Sequence, residues 1–279
     1  MSGQTPLTLT RPIFILGLNK SGTSLLNLCL AQHASVSGIR DFSRPKKWKG
    51  GTAHLRLQSF RLGEGQKIPN LLEKLTPKPG GSGRWAHPDV RHLYRLTEAH
   101  VEPDDRDHVV RAYREGMCDS SKRLCEKSPP NLIRSRYLQA LFPDAVFITI
   151  VRDPYANISA NGKVRTKWGT VRDQAVHWAA AHRLFLEDRP QLSRSLLLRY
   201  EDLVADVKAT LGRVCAFSDL DAAELAEPPL QIDPTHNQFL IDQLEPDDVA
   251  VIDEKCGEVM GEFGYNSLSK RDHPDRTIR

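Results

Sequence analysis

The sequence predicts an α/β fold: a single domain with a central, mostly parallel sheet flanked by helices. Short apolar runs alternate with segments of helical periodicity, as in β-α-β units joined by right-handed crossovers. The 279-residue chain is 39% hydrophobic and 27% charged, which is ordinary for a globular protein with a sizeable core. Its formal net charge of +4 does not indicate a dedicated nucleic-acid-binding protein, so we expect no nucleic-acid partner.

The first apolar run, from Pro12 to Gly17, predicts a parallel strand buried on both faces. Residues 22–33 have the spacing of a helix with Leu25, Leu28 and Cys29 on one stripe. Residues 17–22 are therefore predicted to form a strand-to-helix turn.

The remaining pattern repeats the same unit. Strands are predicted at 123–127, 145–151 and 195–200, and helices at 132–142, 155–163, 171–187, from Glu201 onward and after Pro246. Trp178 lies on an apolar helical stripe and is expected in the core. Residues 40–110 lack periodicity and are predicted to be an irregular excursion that faces the acceptor, within a domain spanning 1–268. Residues 269–279 are predicted to be a disordered tail.

The turn at Gly17-Leu-Asn-Lys20-Ser-Gly22-Thr-Ser24 predicts an anion cradle. Its glycines permit a tight turn, and the free amide groups of the following helix point at whatever occupies the turn. A nucleotide triphosphatase needs GxxxxGK[ST], with lysine directly after the second glycine. Here Lys20 precedes Gly22, so the loop departs from that pattern, and no strand ends in a lone carboxylate suited to Mg²⁺.

A second anion site is predicted at Arg152, which directly follows the strand 145–151. An arginine at this point favours a phosphate over a metal ion. Ligands of open α/β sheets bind at the carboxyl ends of the strands. Two anion sites at that edge suit a nucleotide with separated 5′ and 3′ phosphates.

Four segments together resemble the sulfotransferases that depend on 3′-phosphoadenosine 5′-phosphosulfate (PAPS), in particular their bacterial and carbohydrate-type members. RPIFILGLNKSGTSLL is similar to their 5′-phosphosulfate loop, and IVRDPYANIS to their 3′-phosphate segment. LLLRYEDLVAD resembles the strand and turn that contact the adenosine, and CEKSPPN resembles the EKSP/EKTP stretch. The motifs follow the family's order and cover about 12 to 217.

The resemblance implies a P-loop-like fold and sulfuryl transfer from PAPS to a hydroxyl or amine, with 3′-phosphoadenosine 5′-phosphate (PAP) as the product and no metal ion. The residues that it implies for nucleotide binding are Lys20 at the bridging oxygen, Ser21, Gly22, Thr23 and Ser24 at the 5′-phosphosulfate, Arg152 at the 3′-phosphate and Tyr200 at the adenosine. The family's serine eight positions after this arginine is Ala160 here, so Ser159 is the candidate instead. Residues 231–244 lie where relatives place a loop over the nucleotide, which makes His236 and Asn237 further candidates.

Catalysis needs a charge at the leaving group and a base for the acceptor. Besides Lys20, the resemblance implies that Lys127 steadies the transferring group, although a solvated strand-end lysine is an equally good interpretation. Asp41 is the candidate general base, with His54 and His87 in reserve. The basic cluster in 44–67 could attract an acidic acceptor, but such runs are more often solvated loop.

We expect neither secretion nor a membrane span. The N-terminus has no basic stretch followed by an apolar one, and no window approaches about 18 uninterrupted apolar residues. The five cysteines form no CxxC pair, which favours buried reduced thiols. These features predict a cytoplasmic protein. The resemblance implies a small-molecule, glycan or lipid acceptor, which the sequence does not identify further. A P-loop kinase-like enzyme and a non-catalytic nucleotide-binding protein remain alternatives, and the oligomeric state is unknown.

Overall fold

A computed structural model describes residues 8–39, 84–162, 169–226, 233 and 235–271 of the chain. These residues form a five-stranded sheet in the order β2-β3-β1-β4-β5, and every neighbouring pair is parallel. The strands are β1 (Ile13–Leu16), β2 (Val36–Ser37), β3 (Arg123–Glu126), β4 (Val146–Val151) and β5 (Ser195–Arg199). The predicted fold class, a parallel sheet flanked by helices, is confirmed.

Helices connect the strands and continue after β5. In chain order they are α1 (Thr23–Leu30), α2 (Asp105–Gly116), α3 (Ser135–Leu141), α4 (Pro154–Asn161), α5 (Val171–Asp188), α6 (Tyr200–Ala205), α7 (Val207–Ser218), α8 (His236–Ile241), α9 (Pro246–Gly261) and α10 (Leu268–Arg271). No helix in the described part of the chain is both long and apolar enough to cross a bilayer.

β1 and β4 are buried on both faces because their side chains alternate between two apolar clusters. Ile13 and Ile15 point to the side on which α1, α6 and α7 pack. Phe14 and Leu16 point to the opposite side, which α2 to α5 and α9 cover. Such double coverage is the usual reason why the strands of a parallel sheet are continuously hydrophobic. Trp178, on α5, is 1% exposed within the second cluster, as the sequence predicts.

Four predicted segments differ in part from the structure. The helix predicted from Glu201 onward is two helices, because Asp206 adopts extended dihedrals and its carboxylate accepts the amide of Ala209, capping α7. The helix predicted at 132–142 begins as a short 3₁₀ turn over Pro129–Ile133 and becomes α-helical only at Ser135.

The predicted excursion at 40–110 is also partly regular. Residues 40–83 lie outside the described part of the chain, as does the Thr76–Gly83 run on which that prediction rests. Residues 84–110 are described, and α2 already begins at Asp105. Trp85, Tyr94 and Val109 from this stretch belong to the hydrophobic core. Residues 269–271 of the predicted tail end α10, while 272–279 are not described.

Candidate functional site

The turn between β1 and α1 has a backbone that only glycine accommodates at two points. Gly17 has a φ of 150°, and a Cβ there would lie 2.5 Å from the carbonyl oxygen of Ile150. Gly22 has a φ of 96°, and a Cβ there would lie 2.5 Å from the ring of Tyr200. The two glycines therefore let the turn lie against β4 and against the aromatic ring that follows β5.

The N-terminus of α1 has no side-chain cap. Gly22 is its N-cap residue, and the first amide bonded to a helical carbonyl is that of Leu26, which donates to the Gly22 oxygen at 3.0 Å. The amides of Thr23, Ser24 and Leu25 precede it and lack an intrahelical acceptor. Free amides combined with the positive end of the helix dipole make this turn suitable for an anion.

The helix after β4, unlike α1, has a side-chain cap at its N-terminus. Asp153 caps α4, with its carboxylate accepting the amides of Tyr155 at 2.9 Å and Ala156 at 3.4 Å. The protein thus supplies a negative charge of its own to α4, whereas it leaves the start of α1 available to a ligand. Of these two adjacent helix starts, only the one at the glycine turn has the chemistry of an anion cradle.

Arg152 joins the end of β4 to this cradle. Its side chain donates from Nη1 to the carbonyl oxygen of Lys20 and from Nε to Oδ1 of Asn237, both at 2.8 Å. Its guanidinium lies 4.3 Å from the centroid of the Tyr200 ring. Nη2 is buried and has no hydrogen-bond partner in the described structure. That nitrogen is a donor left over for a ligand, and its charge suits an anion.

Burial makes Arg152 costly to keep charged. The residue is 4% exposed, and desolvation lowers its pKa, an effect opposed by nearby Tyr200 and Glu201. An arginine pKa starts so high that the group stays protonated at neutral pH. A buried cation of this kind gains from an anionic partner.

Glu201 holds the surroundings of Arg152 in place. Its Oε1 accepts the amide of Asp153 at 3.1 Å and Nδ2 of Asn237 at 2.6 Å, and its Oε2 accepts the hydroxyl of Tyr265 at 2.6 Å. Because Asn237 donates to Glu201 while accepting from Arg152, α8 is attached to the site through one amide side chain. The sequence indicates Asn237 only through its position in the chain and gives no signal for Glu201 and Tyr265, which contribute through contacts between distant segments.

The loop carbonyls are also held from outside the loop. Nδ2 of Asn157 donates to the carbonyl oxygen of Asn19 at 2.9 Å, next to the carbonyl bound by Arg152. The amide of Ser21 donates to the carbonyl oxygen of Leu18 at 3.2 Å, and its hydroxyl donates to the same oxygen at 2.7 Å. Ser21 therefore closes the turn on itself, and this internal bond already occupies the amide that the resemblance assigns to the 5′-phosphosulfate.

Lys20 lies at the rim of the turn. It has a left-handed φ of 65°, and its side chain is exposed. A non-glycine residue in this region stores strain, which is a frequent feature of functional turns. Ser24 is exposed as well, while Thr23 is 3% exposed.

The end of β3 contributes a buried acid beside this turn. The register pairs Glu126 with Phe14 of β1, and Glu126 is 1% exposed. Its carboxylate accepts the hydroxyl of Ser128 at 2.6 Å and Nδ2 of Asn131 at 2.7 Å. Burial raises the pKa of Glu126 to about 7, although both hydrogen bonds and the charge of Lys127 act in the opposite direction. Lys127, which follows directly, is half-buried.

Other predicted residues lie apart or cannot be placed. Ser159 makes no hydrogen bond with Arg152 in the structure; it lines a cavity of about 300 Å³ together with Val171, Gln174 and Leu244. Asp41, His54 and the basic cluster at 44–67 lie outside the described residues. His87 is described and lies 3.2 Å from Asp89.

A wider cavity of about 580 Å³ occupies the opposite edge of the sheet, at the amino ends of the strands. Arg11 pairs there with Asp219, and Arg123 donates to the carbonyl oxygens of Arg11 and Ser218, although Nη2 of Arg123 is buried without a partner in the described structure. Ligands of parallel α/β sheets bind at the carboxyl ends, and the uncapped helix and the free Arg152 donor are there. We therefore place the candidate site at that edge.

The fold and the carboxyl edge of its sheet define a parallel α/β protein whose glycine turn leads into a helix without a side-chain cap. Residues 12–224 match the sulfotransferase family, and the chain belongs to that family. The resemblance predicted from the four motifs is confirmed to this extent.

Individual curated relatives share less than a third of their aligned residues with this chain. The omega-hydroxy-beta-dihydromenaquinone-9 sulfotransferase Stf3 of Mycobacterium tuberculosis is 29% identical over 168 residues, which are 52% of this chain and 42% of that protein. Protein-tyrosine sulfotransferase A of Caenorhabditis elegans is 24% identical over 220 residues, 75% of this chain and 50% of that protein. The chain thus spans about half the length, or less, of these curated relatives.

Solved structures show the same fold. The sulfotransferase domain of the Synechococcus PCC 7002 olefin synthase superposes with a TM-score of 0.56 at 22% identity and covers 94% of this chain and 98% of that domain. The sulfotransferase STF1 of Mycobacterium tuberculosis H37Rv gives a TM-score of 0.53 at 16% identity, covering 92% and 77%.

The crowding at Gly22 predicts that Gly22→Ala destabilises the protein. The left-handed φ alone costs roughly 1–3 kcal/mol for a non-glycine residue, and the new methyl group also collides with Tyr200. Differential scanning calorimetry should show a lower Tm. The matched control is Gly212→Ala in α7, where a Cβ meets nothing within 4 Å, and where the change should raise stability by roughly 0.5–1 kcal/mol. Equal effects at both glycines would contradict the crowding.

The raised pKa of Glu126 predicts a pH dependence of stability. Between its unfolded value of 4.5 and its folded value of about 7, the folded state keeps a proton that the unfolded state has lost. The contribution of Glu126 to stability is therefore full below pH 4.5 and is lost as pH rises to about 7, a change of roughly 3 kcal/mol. Glu126→Gln should flatten this slope in urea unfolding measured from pH 4.5 to 8, whereas Glu115→Gln, on an exposed glutamate, should keep it. An unchanged slope in Glu126→Gln would rule out this titration.

Proposed function

We propose that this protein transfers a sulfuryl group from PAPS to a hydroxyl or amine of a small-molecule, lipid or carbohydrate acceptor, without a metal ion. The observation that carries the proposal is the pairing of two anion-binding features at one edge of the sheet. One is the uncapped start of α1, and the other is the buried Arg152 with its unpartnered Nη2. The Arg152–Lys20 hydrogen bond joins them directly.

The residues present fit PAPS. The amides of Thr23, Ser24 and Leu25 would hold the 5′-phosphosulfate, because they have no intrahelical acceptor and lie at the positive end of α1. Arg152 would hold the 3′-phosphate through Nη2. Tyr200 is 9% exposed and packs between Gly22 and Arg152, so it supports both anion sites and presents only a small surface to the adenosine. Contact of Ser159 with the 3′-phosphate would require that Ser159 moves toward Arg152 when the nucleotide binds.

Bound PAPS supplies the sulfuryl group and PAP as its leaving group. The S–O bond to the phosphate would break as a new bond forms from sulfur to the acceptor, S–O for a hydroxyl or S–N for an amine, and the acceptor's proton would pass to a base. Lys20 would neutralise the charge that grows on the leaving phosphate oxygen, as its exposed ammonium at the rim of the turn allows. Lys127 would steady the transferring group, and the proposed base is Asp41, with His54 and His87 in reserve.

The names of the relatives support a hydroxyl acceptor. One is a sulfotransferase for an omega-hydroxy menaquinone and another is a protein-tyrosine sulfotransferase; both names describe hydroxyl-bearing acceptors. We take 1–268 as the sulfotransferase domain and 40–110 as the segment facing the acceptor. A cytoplasmic location is part of the proposal, supported by the free state of all five cysteines.

Calorimetric titration of the purified protein with PAP, and separately with ATP with and without Mg²⁺, tests the nucleotide before any acceptor is known. PAP should bind without a metal, and ATP should bind much more weakly. In the same titrations Arg152→Ala should weaken PAP binding at least tenfold but change binding of adenosine 5′-phosphosulfate, which lacks the 3′-phosphate, far less. The control is Arg183→Ala, which breaks only an exposed pair with Glu258. A preference for Mg²⁺-ATP would favour a kinase-like enzyme and overturn the proposal.

Lys20→Ala should keep the fold but reduce transfer by about 10²–10³-fold, since one preorganised charge at a leaving oxygen is worth roughly 3–4 kcal/mol. The measurement is the rate at which PAP forms from PAPS in the presence of an accepted substrate. Lys208→Ala, on an exposed face of α7, controls for the loss of a surface charge. Near-normal turnover of Lys20→Ala would remove this residue from the mechanism, and PAP binding without any transfer in the wild type would indicate a non-catalytic protein.

A further inference from the structure

The hydrogen-bond and ring partners that the structure gives to the guanidinium of Arg152 are all neutral. Nη1 donates to the carbonyl oxygen of Lys20, and Nε donates to the side-chain oxygen of Asn237. The ring of Tyr200 covers one face, with its centroid 4.3 Å from Cζ. No carboxylate of the described residues forms an ion pair with Arg152, although a buried arginine usually has such a partner.

Two carboxylates nevertheless lie close to Arg152. Asp153 follows it in the chain, and its carboxylate caps α4 by accepting backbone amides. Glu201 accepts Nδ2 of Asn237 at 2.6 Å. Burial lowers the pKa of Arg152, and both carboxylates are near enough to oppose this effect. The acids therefore act on Arg152 through space but make no direct contact with its guanidinium.

Asn237 lies between Glu201 and Arg152 and bonds to both. Its Nδ2 donates to Oε1 of Glu201, and its Oδ1 accepts Nε of Arg152 at 2.8 Å. The two charged neighbours fix this orientation, because a reversed amide would turn its NH₂ group to the guanidinium and its oxygen to the carboxylate. A carboxamide thus satisfies a cation and an anion together without carrying a charge of its own.

Glu201 is also held from the side away from Asn237. Its Oε1 accepts the amide of Asp153 at 3.1 Å, and its Oε2 accepts the hydroxyl of Tyr265 at 2.6 Å. Nε of Arg199 lies 4.0 Å from the same Oε2, and the guanidinium of Arg199 covers the ring of Tyr265 at 4.4 Å. The negative charge of Glu201 therefore has another cation close to it.

We propose that Asn237 determines specificity for the 3′-phosphate, because its neutral amide keeps Glu201 from pairing with Arg152 and leaves the charge of this arginine available to the ligand. The inference rests on the proposed binding of PAPS and adds a residue to it. Asn237 occupies Nε, while Nη2 stays buried without a partner in the described structure. Asn237 is a positioning residue that acts through Arg152 and takes no part in bond making.

A carboxylate at position 237 would reverse this effect. Aspartate has nearly the shape of asparagine, so one of its oxygens would still face Nε of Arg152, now in a charge-assisted pair. The pair would neutralise the guanidinium, and the added negative charge would repel a phosphate at Nη2. Recognition of the 3′-phosphate should therefore be lost, whereas a ligand without that phosphate should be affected much less.

The test is calorimetric titration of Asn237→Asp with PAP and with adenosine 5′-phosphosulfate. We expect PAP to bind at least about tenfold more weakly than to the wild type, and adenosine 5′-phosphosulfate to change by less than about threefold. The double variant Asn237→Asp with Glu201→Gln should show the same selective loss. It keeps the net charge of the wild type and separates the effect from repulsion between two adjacent carboxylates.

The matched control is Gln238→Glu, which adds the same charge to the next residue of α8. Gln238 is exposed, and its amide donates to Asp242. Because an exposed charge contributes little, binding of both nucleotides should change by less than about threefold. Circular dichroism of each variant checks that the fold is kept.

The outcomes separate this inference from the proposed function. Undiminished PAP binding by either folded aspartate variant, with a wild type that prefers PAP to Mg²⁺-ATP, would overturn the role of Asn237 and leave the proposed function intact. Equal losses for PAP and adenosine 5′-phosphosulfate would make Asn237 a merely structural residue and would also overturn the inference. A wild type that does not bind PAP would overturn the proposed function, and the role of Asn237 at the 3′-phosphate with it.

Discussion

The parallel pairing of β1 with β4 is the constraint on which the site depends. Their register places Leu16 beside Thr149, so the turn that follows β1 and the arginine that follows β4 emerge at the same edge. Arg152 then reaches the carbonyl oxygen of Lys20, which a shift of the register by one residue would prevent by turning the side chain to the other face. Two separate segments of sequence become one candidate anion-binding surface because four residues of β1 pair with four residues of β4.

The helices around this surface contribute both unpaired amides and fixed charges. α1 supplies amides without a cap, while α4 carries its own carboxylate cap in Asp153. Glu201 ties α8 to the site through Asn237, so the buried cation rests among fixed dipoles and retains a donor for a ligand.

Much of the fold could be predicted because its signals are local. Apolar runs such as Ile13–Leu16 and Val146–Val151 are continuous since both faces of the sheet are covered. β2 was missed because it has only two residues. α2 was missed although its buried residues Val109, Ala112 and Tyr113 have helical spacing, since it begins within the stretch that was interpreted as irregular. The division between α6 and α7 depends on one capping aspartate, a feature that hydrophobic periodicity does not report.

The sequence by itself determined the glycine turn, the lysine before Gly22 and the arginine after β4, because backbone conformation and charge at these positions follow from residue type and spacing. Only the tertiary structure decided which groups remain free. The amide of Ser21 is occupied within its own turn, and the side-chain amide of Asn237 lies between Glu201 and Arg152. Hydrogen-bond partners come from segments far apart in the chain, and whether a buried polar atom is satisfied or left for a ligand is known only once those segments are packed.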